Sequence, residues 1–440
     1  MSHKPTDINR REFTKASAAA TLATTFASVK DSKVKNSNET IRMGFVGVGN
    51  RGSQLMKAFA EHKDCEFVGV ADVYQPYLDR ARDTYGNDLI AVEDYRKLLD
   101  RKDIDAIAIA TPDHWHAIQA INVMSADKDV YVEKPLCATI HEGRQMVEAA
   151  KRFGRISQVG LHRRSMSIYH QLREFIQTDK VGKITVSRAY RLNNMYPDGI
   201  GKLDTQAPPA NLNWDQWLGP RPKQAYQDNI APYKFRWWQR FSSQMGNWGV
   251  HYFDVIRWML GEEAPVSVSA MGGRFAVKDD RTIPDTAEAV FELPGGSLLV
   301  FGQYEASSNP ALAYGEIELR GTQGTIYSSS SGYKVLSEKP GQFQAKEIRG
   351  EASNVVLKEP NHLATANHAR NFLDSIKTRK KTHCPMIEGH RSTIFAHLAN
   401  ISLATKARLN WDATKEQFDN EEANHLLHYE YRKGFELPKF

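Results

Sequence analysis

The run Gly47-Val48-Gly49-Asn50-Arg51-Gly52 has G-x-G-x-x-G spacing. That spacing suits a dinucleotide. The first glycine allows a tight turn, the second lets backbone approach a pyrophosphate, and the third lets the next helix pack closely on its strand. The helix start then presents free N–H groups to the phosphates. Asp72 stands 20 residues beyond Gly52, where an acidic side chain hydrogen-bonds the adenosine ribose 2′-OH and repels a 2′-phosphate. NAD is therefore expected ahead of NADP, with Arg51 as the basic residue of the loop that would favour NADP. Other reactive sets are weaker. His114 and His116 have ligand-like spacing, but no carboxylate or cysteine set accompanies them, so no metal site is expected. No Ser-His-Asp or reactive-cysteine arrangement is present in the sequence, and Cys137 reads as packing.

The elements around these residues alternate. A strand from Ile41 runs into the glycines, a helix over 53–61 follows, and a second strand over 66–71 ends at Asp72. Helices over 76–86 and 93–100, a strand over 104–110, a helix opened by Thr111-Pro112-Asp113-His114-Trp115-His116, a strand over 130–133, a helix over 141–153 and a strand over 156–160 complete the series. Such alternation predicts an α/β fold with a parallel sheet wound on both sides, a Rossmann domain over 41–165. Ligands bind at the carboxyl ends of such strands, where Gly47, Asp72, Thr111 and Lys134 all fall. Beyond residue 165 strand-like runs dominate, over 184–190, 266–271, 287–293, 298–304, 316–320 and 325–327. They predict one open, mostly antiparallel sheet in a C-terminal α/β domain, 166–440, serving substrate binding and oligomerisation. The irregular stretch 192–245 is rich in Asn, Pro, Trp and Gln, and its loop aromatics near Arg236 and Trp237 can stack on sugar rings. Two helices are expected within 361–409, then a charged, less regular tail.

Composition narrows the partners. The 440 residues are 41% hydrophobic and 25% charged, enough to bury a full core, and a net charge of +6 is too weak a field to argue for nucleic acid. Three cysteines make no disulfide framework. No run reaches the roughly 18 apolar residues of a membrane helix. The first 40 residues read as a signal and linker. Arg10-Arg11 with Phe13 and Lys15, the apolar run Ala16–Val29 and small residues at Ala27-Ser28 resemble a twin-arginine export signal. Export to the periplasm by the twin-arginine machinery is the expectation, and that machinery carries proteins already folded around their cofactors.

Taken together, Gly-x-Gly-x-x-Gly, Thr111-Pro112-Asp113-x-x-His116 and Glu133-Lys134-Pro135, in this order, resemble the Gfo/Idh/MocA family of glucose–fructose oxidoreductases, inositol dehydrogenases and their relatives. The resemblance covers residues 41–440. It implies cofactor contacts from Gly47, Gly49, Asn50, Arg51, Gly52, Asp72, Thr111, Pro112, His116, Glu133 and Lys134. It also implies that Lys134 reaches the reacting carbinol, with Glu133 and Pro135 fixing its position. Dehydrogenases of the family carry Asp-x-x-x-His; here the pattern is Asn247 and His251. Asn hydrogen-bonds a hydroxyl but cannot accept its proton, which leaves His251 or Lys134 as base, with Asp254 a candidate to orient the imidazole. The family pattern places His162, Arg163, Arg164 and Tyr169 on the floor of the substrate site.

The implied activity is hydride transfer between tightly held NAD and a sugar, glycoside or polyol, in a homo-oligomer. Two alternatives stand beside it. One is a redox-neutral, NAD-dependent glycosidase, which oxidises, eliminates, hydrates and re-reduces. Export favours that cycle, because it consumes no free NAD, but such hydrolases usually lack Glu-Lys-Pro. The other is a sugar-binding relic without catalysis.

Overall fold

The first sheet is built from short runs that are apolar on both faces, Ala106–Ile109 being fully buried. Strands without a polar face must be covered on both sides, which is the usual state of a parallel sheet. A computed structural model describes residues 39–339, 352–356 and 363–440. The twin-arginine-like segment lies outside the described residues.

The elements of the first half are β1 (Ile41–Val46), α1 (Asn50–Ala60), β2 (Cys65–Ala71), α2 (Gln75–Tyr85), β3 (Ile90–Val92), α3 (Arg96–Leu99), β4 (Ala106–Ile109), α4 (His116–Ser125), β5 (Asp129–Val132), α5 (Ile140–Phe153) and β6 (Ser157–Val159). The strands form a six-stranded parallel sheet in the order β3-β2-β1-β4-β5-β6. The order reverses between β1 and β4, which opens a crevice at their carboxyl ends. The expected helix over 93–100 shrinks to the single turn of α3, and β3, only three residues long, has no sequence signal of its own.

The second half contains α6 (Ser167–Gln177), β7 (Ile184–Leu192), α7 (Trp214–Leu218), α8 (Val250–Leu260), β8 (Ser267–Gly273), β9 (Thr286–Leu293), β10 (Ser297–Tyr304), β11 (Ile317–Gly321), β12 (Gly324–Ser329), β13 (Gly332–Ser337), β14 (Ser353–Val356), α9 (Leu363–Thr378), α10 (Met386–Thr405), β15 (Leu409–Asp412), β16 (Gln417–Phe418) and α11 (Glu421–His425). Its ten strands run β14-β13-β12-β11-β7-β10-β9-β8-β15-β16. All neighbours are antiparallel except β7 and β10. Six of these strands match the expected runs. The other four, β13 to β16, lie toward the sheet's two edges. On β9 the burial alternates strictly, so one face packs against α8 and α10 through Phe253, Phe291 and Phe395 while the other stays open.

Two segments cross between the halves. Helix α9 packs Phe372 and Leu373 into the apolar layer of α1, beside Phe45 and Phe59. The tail is more ordered than its charge suggests. The hydroxyls of Tyr429 and Tyr431 donate to Glu142 on α5, and Arg432 pairs with Asp215. The irregular stretch has a small core of its own, where Trp214 stacks on Trp217 at 4.8 Å beside Phe235 and Phe241. All four rings are buried in this core, and Trp217 and Phe235 also show an edge to a cavity. The stretch is tied to the first sheet by the Asn213 N–H to the Val73 carbonyl and a bridge between Tyr74 and Leu212.

Candidate active site

The glycine turn follows β1 directly. Gly47 has φ +80°, and a Cβ on Gly52 would lie 1.9 Å from the Gly47 carbonyl oxygen, so the third glycine is a packing requirement. No side chain caps the start of α1, and its first-turn N–H groups remain as anion donors. A groove opens over this turn, lined by Gly47, Gly49, Asn50, Arg51, Asp72, Tyr74, Tyr77, Thr111 and Pro112. The glycine turn, the uncapped helix start and Asp72, set along one groove, fit a dinucleotide. Trp217, Pro232, Tyr233, Phe235 and Arg236 of the irregular stretch line the same groove. It is therefore walled by both halves of the chain.

Asp72 accepts N–H bonds from Val48 at 2.8 Å and Tyr74 at 3.0 Å. Burial pushes its carboxyl up to about 6, against the pull of those amides. Arg51 does not sit beside it. Its Nε donates to Glu133 at 2.8 Å and its Nη1 to Gln54, which holds Arg51 toward the Glu-Lys-Pro loop. The cation near Asp72 is Arg80, bonded to the Val48 and Gly49 carbonyls, a contact the sequence spacing did not expose.

Next to the groove lies a second cavity, sharing Asn50, Arg51, Thr111, Tyr233 and Arg236 with it. The Lys134–Pro135 peptide is cis. The Lys134 ammonium donates to the Asn247 carbonyl at 2.8 Å and to the Asn247 side-chain oxygen at 2.9 Å. Burial, with Arg236 and Arg51 nearby, lowers its pKa to about 8 against the opposing charge of Glu133. Asn247 lies in a single π-turn, Met245–Gly249, that leads into α8. Its amide donates to Gln244, Gln244 donates to Glu305, and Glu305 also takes Trp237 and the Arg281 guanidinium. Gln244, Glu305 and Arg281 form a buried chain that meets the cavity wall at Glu305 and that no motif indicated, because they come from three separate segments.

His251 and His162 face each other with ring centroids 5.2 Å apart, and both line the cavity. Burial first, then Lys134 for His251 and Arg51 for His162, hold both well below the ordinary histidine range. That favours the neutral, hydrogen-bonding form of both rings. The Nδ1 atoms of both rings are buried without protein partners. Arg163 and Trp237 also line the cavity.

Four expectations are corrected. Arg164 is buried in an ion pair with Asp254 and a second with Glu388, away from the cavity. Asp254, committed to Arg164 and the Ser392 hydroxyl, does not orient His251. Tyr169 is fully buried and supports Arg163 through its hydroxyl. His116 spends both ring nitrogens on the Thr111 and Pro135 carbonyls, so it ties two loops together rather than touching the groove. His114 bonds the Trp217 carbonyl within an aromatic cluster. Among the described residues no group of three or more His, Cys, Asp or Glu is placed to hold a metal. Cys137 is buried in the core.

Comparison with known proteins places matches along most of the chain. A model described as oxidoreductase family, NAD-binding Rossmann fold, matches residues 41–161. A GFO/IDH/MocA C-terminal domain model matches 169–327, and an oxidoreductase family C-terminal alpha/beta domain model matches 344–437. A glycosyl hydrolase family 109 protein of Shewanella baltica is 34% identical over 176 residues, and so is an alpha-N-acetylgalactosaminidase of Shewanella oneidensis. Each match spans 33% of this chain and 38% of the relative. Among solved structures, a levoglucosan dehydrogenase in complex with NADH superposes with TM-score 0.65 at 18% identity, over 84% of this chain and 99% of that one. The WlbA dehydrogenase of Bordetella pertussis, in complex with NADH and UDP-GlcNAcA, gives 0.65 at 19%, over 86% and 99%. At these identities the likeness is one of fold.

Proposed function

Because the chain belongs to the Gfo/Idh/MocA oxidoreductase family, with an NAD-binding Rossmann domain, we propose that it transfers a hydride between tightly held NAD and a carbon of a sugar, glycoside or polyol. The observation that carries this reading is the Lys134 ammonium, aimed into the cavity where it adjoins the groove and paired only with neutral atoms of Asn247. The chemistry supplied by the bound cofactor is acceptance of a hydride from the carbinol carbon. Lys134, as free amine, takes the hydroxyl proton and leaves a carbonyl on the substrate. Asn247 aims the amine, and the neutral imidazoles of His251 and His162 hydrogen-bond neighbouring hydroxyls. Asp72, the uncapped start of α1 and Thr111 orient the dinucleotide. The roof from the irregular stretch favours retention of the cofactor. Purified protein, given a panel of sugars and glycosides with no NAD in the buffer, should show the absorbance of reduced nicotinamide; no such change with any of them would sink the reading.

The redox-neutral glycosidase is the second reading. It is favoured by the relative named alpha-N-acetylgalactosaminidase and by the same roof. Release of an aryl leaving group without accumulation of reduced cofactor would select it. Export completes the proposal: Arg10 and Arg11 direct the folded protein to the periplasm. Replacing both with Lys should leave it in the cytoplasmic fraction. A homo-oligomer is part of the same reading, and light scattering of the purified protein tests it. The open face of the second sheet, with Met271 79% exposed, is the surface available for it.

A further inference from the structure

This inference rests on the oxidoreductase reading and names its substrate class. The cavity walls carry five cationic side chains, Arg51, Lys134, Arg163, Arg191 and Arg236, and three carboxylates, Asp113, Glu133 and Glu305. The pairing is uneven. Arg51 takes Glu133 at 2.8 Å, Arg163 takes Glu316 at 2.6 Å, and Glu305 is held by Arg281 at 2.6 Å. Asp113 accepts the Ser242 hydroxyl at 2.5 Å. Among the described residues, neither Arg191 nor Arg236 has a carboxylate within ion-pair distance. Arg236 donates to the Tyr233 carbonyl and also lines the dinucleotide groove, so its charge is shared with the cofactor side. Arg191 faces the cavity, and Glu316, already paired with Arg163, acts on it only through space, beyond ion-pair distance.

Arg191 lies near the carboxyl end of β7, with its guanidinium carbon 3.7 Å from the centre of the Trp248 ring. Its Nε is buried and has no protein partner. Stacking on the indole fixes the plane of the fork and leaves its N–H edge free. A half-buried guanidinium with no carboxylate in ion-pair contact is left under-compensated, and the hydroxyls of a neutral sugar offset less of that than an anion does. A carboxylate does, because its two oxygens match the fork in a bidentate pair. Trp248 follows Asn247 in the same π-turn, so the shelf for the fork and the partner of Lys134 belong to one rigid piece of backbone.

We propose that the substrate is an acidic sugar and that Arg191, braced by Trp248, receives its carboxylate. Calorimetric titration of the cofactor-loaded protein with glucuronate, galacturonate and mannuronate, each beside its neutral hexose, tests this by binding alone. At least one uronate should bind roughly 10-fold or more tighter than its hexose. The methyl ester of that uronate, which keeps the shape and loses the charge, should fall to the level of the hexose. Arg191→Gln should weaken uronate binding by roughly 10- to 100-fold and leave the hexose unchanged, while Arg191→Lys, which keeps charge without the fork, should lose less. The proposal is overturned if no uronate is preferred, if the ester binds as well as the acid, or if Arg191→Gln weakens both sugars equally. Tighter binding of galactose 6-sulfate than of any uronate would also overturn it. These outcomes are separate from hydride transfer: binding of a uronate without reduction of bound NAD by any sugar would sink the oxidoreductase reading and leave Arg191's role standing.

Discussion

At the scale of single residues the site separates two groups that look alike in sequence. Lys134 and His251 are both candidate bases, and their surroundings push both pKa values down. For His251 the shift favours the neutral ring, which holds a proton poorly. For Lys134 the shift to about 8 brings the free amine within reach. Substrate oxidation should therefore rise about tenfold per pH unit below 8 and level off above it, with no second limb near 6.5. A rate that falls as pH passes 8 would show that the ammonium, not the amine, is needed. Lys134→Ala should cost roughly 10²-fold or more in hydride transfer while leaving NAD binding intact. Asn247→Asp bears on the choice between functions. A carboxylate beside the ammonium would raise the Lys134 pKa. A plain dehydrogenase, regaining the family pattern, should keep or increase oxidation of a free sugar, with its pH profile displaced upward. A redox-neutral glycosidase should lose aryl glycoside cleavage far more than initial oxidation, through repulsion of a developing enolate. Parallel rates on an aryl glycoside and its free sugar separate the two. Asp72 adds a further pH effect. Its carboxylate disfavours a 2′-phosphate only while ionised, so the preference for NAD over NADP should narrow as pH falls through about 6. Titration of apo-protein with both cofactors at pH 5 and pH 8 measures this.

At the scale of elements, the π-turn before α8 is held from behind rather than by its own sequence. Gln244 hands Asn247 to Glu305, which follows β10, and Arg281 closes the chain against Asp279 at 2.9 Å. Glu305→Ala leaves the fully buried Arg281 with one carboxylate partner in place of two. Breaking such a pair costs about 3 kcal/mol, and the loosened turn should raise KM more than it lowers kcat. Urea denaturation and steady-state kinetics on the same variant check both halves. A variant as stable as wild type would mean that Asp279 alone satisfies Arg281.

At the scale of the whole molecule, the C-terminal tail belongs in space to the first sheet. Tyr429 and Tyr431 supply hydroxyl donors to buried Glu142, whose other oxygen takes the Ala138 and Thr139 N–H groups at the start of α5. Phe435 packs edge-on against Trp115. Removing residues 429–440 should destabilise the protein by at least about 2 kcal/mol, since it leaves a buried carboxylate short of partners. Thermal melting with and without the tail reads that loss, and an unchanged midpoint would show the tail to be peripheral.

The dinucleotide half was legible because its signals are local: a glycine turn between a strand and a helix, an acid at fixed distance, and apolar runs too short for helices. Asn247 and His251 were likewise findable, since one turn of backbone carries both. Other features depend on chain segments far apart in sequence. Burial decided that His251 is held toward its neutral form and that the Lys134 pKa is lowered to about 8. Long-range ion pairs withdrew Arg164 and Asp254 from the site, and Arg163 and Arg164, adjacent in sequence and both largely buried, ended with different surroundings because one faces the cavity and the other faces α10. The unpaired state of Arg191 is the same kind of fact. A sequence records which charges a chain carries, but whether each is balanced depends on which distant carboxylates folding brings within about 4 Å.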